Sequence, residues 1–264
     1  MMLQSLDFTG RRALVTGASR GVGQATARLL AAYGATVTVA ARSSEALQSL
    51  VSEIEASGGR AKAVTCDVAD WKTVEAAVAE EVPLDILVNC AGTIDPLQFL
   101  ADSNPALWSL AIDVNVKGYY HFMRAVLPRM IERGHGTVVN ISSGAVNSDL
   151  PGWSHYCASK AAARKLTEVA ARELREAGHD GVRVIGLSPG TVATDMMAAI
   201  RDSGINIVSR LDWNVHIPPE WAAEGVAYLC GPGGDAHVGT DFSIKTPEGR
   251  RAVGLPTDGA PNRR

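Results

Sequence analysis

Residues Arg12 to Thr16 form a short apolar run that ends in the loop Thr16-Gly17-Ala18-Ser19-Arg20-Gly21-Val22-Gly23, and Ala25 to Tyr33 then reads as a helix. A strand passing through a glycine turn into a helix brings its backbone close to an anion, because the first N–H groups of the helix point outward unpaired. Gly17 permits the tight turn, while Gly21 and Gly23 remove Cβ atoms that would block a ligand or the packing of helix on strand. The spacing Gly-x-x-x-Gly-x-Gly differs from the Gly-x-Gly-x-x-Gly dinucleotide fingerprint, but its place between a strand and a helix is the context that gives such a pattern meaning. Gly17, Ser19, Arg20, Gly21, Val22 and Gly23 are therefore candidate contacts to a diphosphate.

The same unit then recurs. Strands are expected over Thr36–Ala41, Ala61–Thr65 and Ile86–Asn89, with helices over Ser44–Ala56 and Asp70–Glu81. The second half continues with a helical stretch over Ala106–Arg133, a strand over Thr137–Ile141, a helix over His155–Ala177 and a strand over Val182–Leu187. Gly134 and Gly178 supply helix stops. Strict alternation means parallel strands with helical crossovers, and strands that are continuous Val/Ile/Leu/Ala runs are covered on both faces. An α/β fold follows, a single doubly wound parallel sheet of Rossmann type with helices on both faces. Thr191 to Pro219 shows no clear period and is expected to form a mobile flap over a site; a last helix, Glu220–Leu229, and a strand near Phe242–Ile244 close the domain. One domain over residues 1–246 and a loosely ordered tail over 247–264 are expected.

Composition narrows the function. A net charge of -3 spread over 264 residues gives no basic stripe for a phosphate backbone, so nucleic acid is excluded as a partner. Cys66, Cys90, Cys157 and Cys230 form no Cys-x-x-Cys pair and the six histidines are scattered, so no metal is inferred. No charged segment followed by an apolar one marks the N-terminus, and nowhere do 18 apolar residues run together. A cytoplasmic protein without a membrane partner is expected.

Two further stretches carry chemistry. In Ser142 to Lys160, Ser143 stands thirteen residues before Tyr156, and Lys160 follows four after it on a helical run. That spacing puts phenol and ammonium on one face, where a cation lowers the pKa of a neighbouring phenol and fits it to exchange protons. At the end of the second strand, where a dinucleotide ribose lies, the chain reads Ala40-Ala41-Arg42-Ser43 with no acidic residue. Arg42 and Arg20 are two guanidinium groups suited to a 2'-phosphate, which favours NADP(H) over NAD(H).

With Thr16-Gly17-x-x-x-Gly21-x-Gly23, Ser143, Tyr156 and Lys160 in place, the sequence resembles the short-chain dehydrogenase/reductase family over roughly residues 9 to 245. Asp67 in Cys-Asp-Val, Asn89-Cys90-Ala91-Gly92, Asn115 in Asp-Val-Asn-Val-Lys-Gly, and Pro189-Gly190 before Thr194 extend the resemblance, with Cys90 standing where the family more often has a second Asn. The resemblance implies that Tyr156 is the general acid/base, that Ser143 bonds the substrate carbonyl, that Lys160 binds nicotinamide ribose and lowers the Tyr156 pKa, and that Asn115 holds a relay water. It further implies that Asp67 and Val68 contact adenine, that Asn89, Ala91 and Gly92 line the cofactor, and that Pro189, Gly190, Val192 and Thr194 border the nicotinamide. Some stretches look similar to the sepiapterin/benzil reductase branch and others to the 3-oxoacyl reductase type. The implied activity is hydride transfer between NADP(H) and a small-molecule carbonyl or secondary alcohol by a homodimer or homotetramer. The alternative is a catalytically silent NADP(H)-binding sensor of the same fold.

Overall fold

The computed structural model describes residues 6–79 and 83–257. Seven strands, β1 (Arg12–Thr16), β2 (Thr36–Ala41), β3 (Arg60–Thr65), β4 (Ile86–Asn89), β5 (Gly136–Ile141), β6 (Val182–Ser188) and β7 (Asp241–Ser243), make one sheet in the order β3-β2-β1-β4-β5-β6-β7. Every pairing is parallel. The order reverses direction between β1 and β4, and the crevice at such a reversal is where open α/β sheets take their ligands.

Successive strand residues face opposite sides, and both sides are apolar. Val15, Val37, Val39 and Val88 face a core closed by α1 (Gly21–Ala32), α2 (Ser44–Ala56) and α8 (Pro219–Cys230), through Leu30, Leu50 and Val226. Their neighbours Leu14, Ala40, Leu87 and Val138 face a second core closed by α3 (Trp71–Ala79), α5 (Gly118–Arg133) and α6 (Ser154–Glu176), through Val74, Phe122 and Leu174. Two covered faces explain why β1 and β4 lack polar alternation, whereas the edge strand β3, with Arg60 and Lys62, buries none of its residues. The fully buried Leu14, Leu30, Leu50 and Leu87 each contribute about 1.5–3 kcal/mol relative to an exposed side chain.

Three stretches differ from the expectation. Residues 106–133 are not one regular helix: α4 (Pro105–Ile112), capped by Asn104, runs into a π-helical turn, Asp113–Lys117, before α5. Thr191 to Pro219 is not a periodless flap. It contains α7 (Asp195–Ser203), stopped by Gly204 at φ +62°, and two short 3-10 turns, Ile207–Arg210 and Trp213–Val215. Met197 and Ile200 are buried there because they meet Ile94, Ala145, Trp153 and Tyr156 in a third apolar cluster.

Over Pro247–Val253 the chain is a helix, α9, rather than a loose tail: Thr246 caps it, Gly254 ends it at φ +76°, and Val253 joins the first core. The last residues of the expected tail, 258–264, and the end of the helix expected over Asp70–Glu81 lie outside the described residues. No described helix is long and apolar enough to cross a membrane.

Candidate active site

The crevice begins with Thr16. Its hydroxyl donates to the Val88 carbonyl at 3.4 Å and accepts from the N–H groups of Cys90 and Ala91 at 3.0 and 3.1 Å, so one side chain ties the end of β1 to the loop after β4. Gly17 sits so close beneath that loop that a Cβ on it would lie 2.7 Å from the Ala91 Cα, and its φ of +65° is one that L side chains rarely adopt. A Cβ on Gly23 would lie 2.5 Å from the Gly17 carbonyl oxygen. Gly21, at φ +58°, faces Thr194, whose Cγ2 would be 3.2 Å from an added Cβ. The glycines thus clear a channel between α1 and the segment after β6, with no acidic residue in the first turn of α1 to oppose an anion. This cradle fits a dinucleotide diphosphate.

The other expected cofactor contacts border the same crevice. Ser19 and Val22 lie half-buried in the glycine loop, and Arg42 is exposed at the end of β2. Val68, in the loop after β3, is held by its carbonyl accepting from His121 Nδ1 at 2.9 Å, and Asp67 Oδ1 accepts from the Ala69 N–H at 3.0 Å. Asn89 donates to Asn140 Oδ1 at 2.9 Å across β4 and β5. Beyond β6, Pro189 is buried, Gly190 turns at φ +84°, Val192 bridges to Ile217, and the Thr194 hydroxyl donates to the Val192 carbonyl at 3.3 Å. Arg20 is engaged by Asp195 at 3.5 Å across the mouth of the crevice. Both partners are largely exposed, and such pairs contribute under about 1 kcal/mol.

At the floor, α6 presents Tyr156 and Lys160 one turn apart. Ser143, in the loop after β5, lies near enough to Tyr156 to favour its phenolate, and its hydroxyl accepts from the Ala145 N–H at 3.1 Å. Lys160, 4% exposed, donates to the Tyr119 hydroxyl at 3.1 Å and to the Ile141 carbonyl at 2.7 Å. Its ammonium lies 5.8 Å from the centre of the Tyr156 ring.

Asn115 stands in the π-helical turn. Its Nδ2 donates to the Thr93 carbonyl and to Ser159 Oγ, and its Oδ1 accepts from the Thr93 N–H, so the side chain pins the loop after β4 to α6. Both N–H groups of Nδ2 are committed to protein. Gly92 faces this group: a Cβ there would lie 3.3 Å from Asn115 Oδ1 and 4.0 Å from Lys160 Nζ. The four catalytic candidates and the cradle therefore share one crevice.

Burial dominates the electrostatics. It pushes Tyr156 up to about 12, with Ser143 acting the other way, and pushes Lys160 down to about 8, opposed by Asp241. Two of the three Lys160 N–H groups go to Tyr119 and Ile141, and its ammonium stays 5.8 Å from the centre of the Tyr156 ring. Burial also raises the Cys90 thiol to about 12, which keeps it neutral.

Sequence reasoning missed Thr16, Thr93 and Tyr119. The last had a signal: Tyr119 follows Asn115 by four residues in a helical stretch, so the two share a face.

These features define a dinucleotide-binding oxidoreductase of the doubly wound class. Residues 11–204 match the short chain dehydrogenase family model, and the chain belongs to that family. It is 40% identical over 189 residues to the short-chain reductase protein NovJ of Streptomyces niveus, covering 70% of each chain. It is 41% identical over 203 residues to glycine betaine reductase ATRR of Emericella nidulans, covering 74% of this chain and 15% of that protein. Among solved structures, a metagenomic short-chain oxidoreductase in complex with NADP superposes with a TM-score of 0.75 at 34% identity, covering 91% of this chain and 98% of the other.

Proposed function

We propose that this chain is an NADP(H)-dependent carbonyl reductase in which Tyr156 is the general acid/base. The observation that carries the reading is the placement of Tyr156 one helical turn from Lys160 on α6, with Ser143 acting on the phenol, in the crevice that Gly17, Gly21 and Gly23 keep clear. Bound NADPH supplies the hydride. Ser143 and Tyr156 offer their hydroxyl protons to the carbonyl oxygen, and Tyr156 transfers its proton there as the alcohol forms. Lys160 binds the ribose and keeps positive charge beside the phenolate left on Tyr156. In the oxidation direction the same groups run in reverse.

Arg42 and Arg20 support the choice of NADP(H), since guanidinium groups match a 2'-phosphate and the end of β2 carries no acid to accept from a 2'-hydroxyl. The NADP bound by the metagenomic relative favours the same cofactor. The cluster of Ile94, Leu150, Trp153, Met197 and Trp213 around Tyr156 favours an uncharged carbonyl compound as substrate. Exposed Leu107, Leu110, Tyr120 and Val169 on α4, α5 and α6 support a homodimer or homotetramer, and we place it in the cytoplasm. A spectrophotometric screen of NADPH oxidation over ketones, diketones and quinones tests the activity. Turnover of an uncharged carbonyl compound is the expected result, and a protein that binds NADPH yet reduces none of the panel would favour the silent sensor.

A further inference from the structure

Tyr119 is the second residue of α5, directly after the π-helical turn that holds Asn115, and it is 1% exposed. Its hydroxyl donates to the Ile141 carbonyl at 2.9 Å. Lys160 donates to that same carbonyl at 2.7 Å and to the Tyr119 oxygen at 3.1 Å, so three polar atoms close a triangle at the end of β5. The ammonium also lies 5.1 Å from the centre of the Tyr119 ring. An ammonium has three N–H donors, and the triangle takes two of them.

We propose that Tyr119 is a positioning residue for Lys160: its hydroxyl, with the Ile141 carbonyl, clamps the ammonium so that a single N–H is left to meet a ligand in the crevice. Lysine is a flexible four-carbon side chain carrying a compact charge, and without a clamp it samples many rotamers. The geometry removes that freedom from a group that must meet one hydroxyl pair.

The groups facing Lys160 come from four elements. Tyr119 lies on α5, Tyr156 on α6, Cys90 after β4 and Asp241 on β7. Asp241 accepts from Ser142 Oγ at 2.6 Å, and the Cys90 thiol is neutral because burial raises it. The direct acceptors on the buried charge are thus the Tyr119 and Ile141 oxygens. A hydrogen bond to the charged form favours it, so removing the Tyr119 oxygen lowers the pH at which Lys160 gives up its proton. A tyrosine that merely filled space would leave that pH unchanged when replaced by phenylalanine.

The catalytic consequence rests on the reductase reading, but the clamp can be tested without cofactor or substrate. The full chain is labelled at lysine Cε with carbon-13, the Lys160 resonance is assigned by its loss in Lys160→Met, and its shift is followed against pH. The expected midpoint is about 8 in the wild type, and roughly one pH unit lower in Tyr119→Phe. Tyr119→Met removes the same oxygen and serves should the Phe variant prove insoluble. A midpoint unchanged on losing the hydroxyl, or a wild-type Lys160 that titrates with exposed lysines near ~10.4, overturns the proposal. A shifted midpoint in a protein that oxidises no NADPH upholds the clamp and removes the reductase reading instead.

Discussion

Lys160 and Tyr156 occupy the same face of α6, yet the lysine ammonium lies 5.8 Å from the tyrosine ring centre and spends its hydrogen bonds on Tyr119 and Ile141. The pair is therefore held apart in the protein, and a ligand hydroxyl lying between them is what would couple the two.

Burying that ammonium costs stability. Its pKa is pushed from 10.5 to about 8 by burial, so below pH 8 the fold carries a penalty on the order of 3 kcal/mol. Between about pH 8 and 10.5 the folded lysine loses its proton before the unfolded one does, and the penalty fades. Lys160→Met is accordingly expected to raise the melting temperature at pH 7 while losing activity, with the gain shrinking as pH rises through that window. Thermal melts of both proteins across pH 7 to 10 decide it, and a lower melting temperature for the variant at pH 7 counts against the reading.

The same titration sets the pH dependence of turnover. Tyr156 is held protonated until about pH 12 and Lys160 is charged only below about pH 8. The kcat/KM for carbonyl reduction is expected to be flat from pH 6 and to fall above about 8. A profile still rising at pH 9 would point to a different acid.

Gly23 has no room for a side chain: an added Cβ would lie 2.5 Å from the Gly17 carbonyl oxygen and 3.1 Å from the Ala18 Cα. Gly23→Ala is expected to displace the glycine loop and weaken NADPH binding at least ~30-fold, a loss of about 2 kcal/mol, measured by fluorescence titration. Affinity within a factor of two of the wild type would mean that the loop does not hold the dinucleotide.

Cofactor choice turns on Arg42. Its replacement by Asp substitutes a 2'-hydroxyl acceptor for a 2'-phosphate donor, and the ratio of kcat/KM for NADPH over NADH is expected to drop by about 100-fold, which is roughly 2.7 kcal/mol. An unchanged ratio would transfer the recognition to Arg20, which breaks only a weak exposed pair with Asp195 to serve.

Much of this was legible from residue pattern, and the exceptions have physical causes. The strands over Arg12–Thr16, Thr36–Ala41 and Ile86–Asn89 were readable to the residue because each is a short run rich in apolar and β-branched residues between polar or glycine turns. The π-helical turn at Asp113–Lys117 was not, since it keeps helical periodicity and betrays itself only through hydrogen bonding that no side-chain pattern encodes. In α7 only Met197 and Ile200 are buried, too few for a period. α9 did carry its signals, Thr246 then Pro247 at the start and Gly254 at the end, but its Gly, Pro and Arg content masked them. Within the site, spacing put Tyr156 and Lys160 on one helix face and the family resemblance supplied Asn115 and the role of Ser143, whereas the Tyr119 clamp depends on where β5 ends relative to α5 and α6.

The role of Tyr156 is settled by one paired assay. NADPH oxidation is followed for the wild type and for Tyr156→Phe on the first carbonyl compound that the wild type reduces, with NADPH affinity measured alongside. Losing the phenolic proton should cut kcat by about 10³-fold or more, with NADPH affinity kept within a few fold. A phenylalanine variant that turns over at the wild-type rate would remove Tyr156 as the acid and, with it, the mechanism described above.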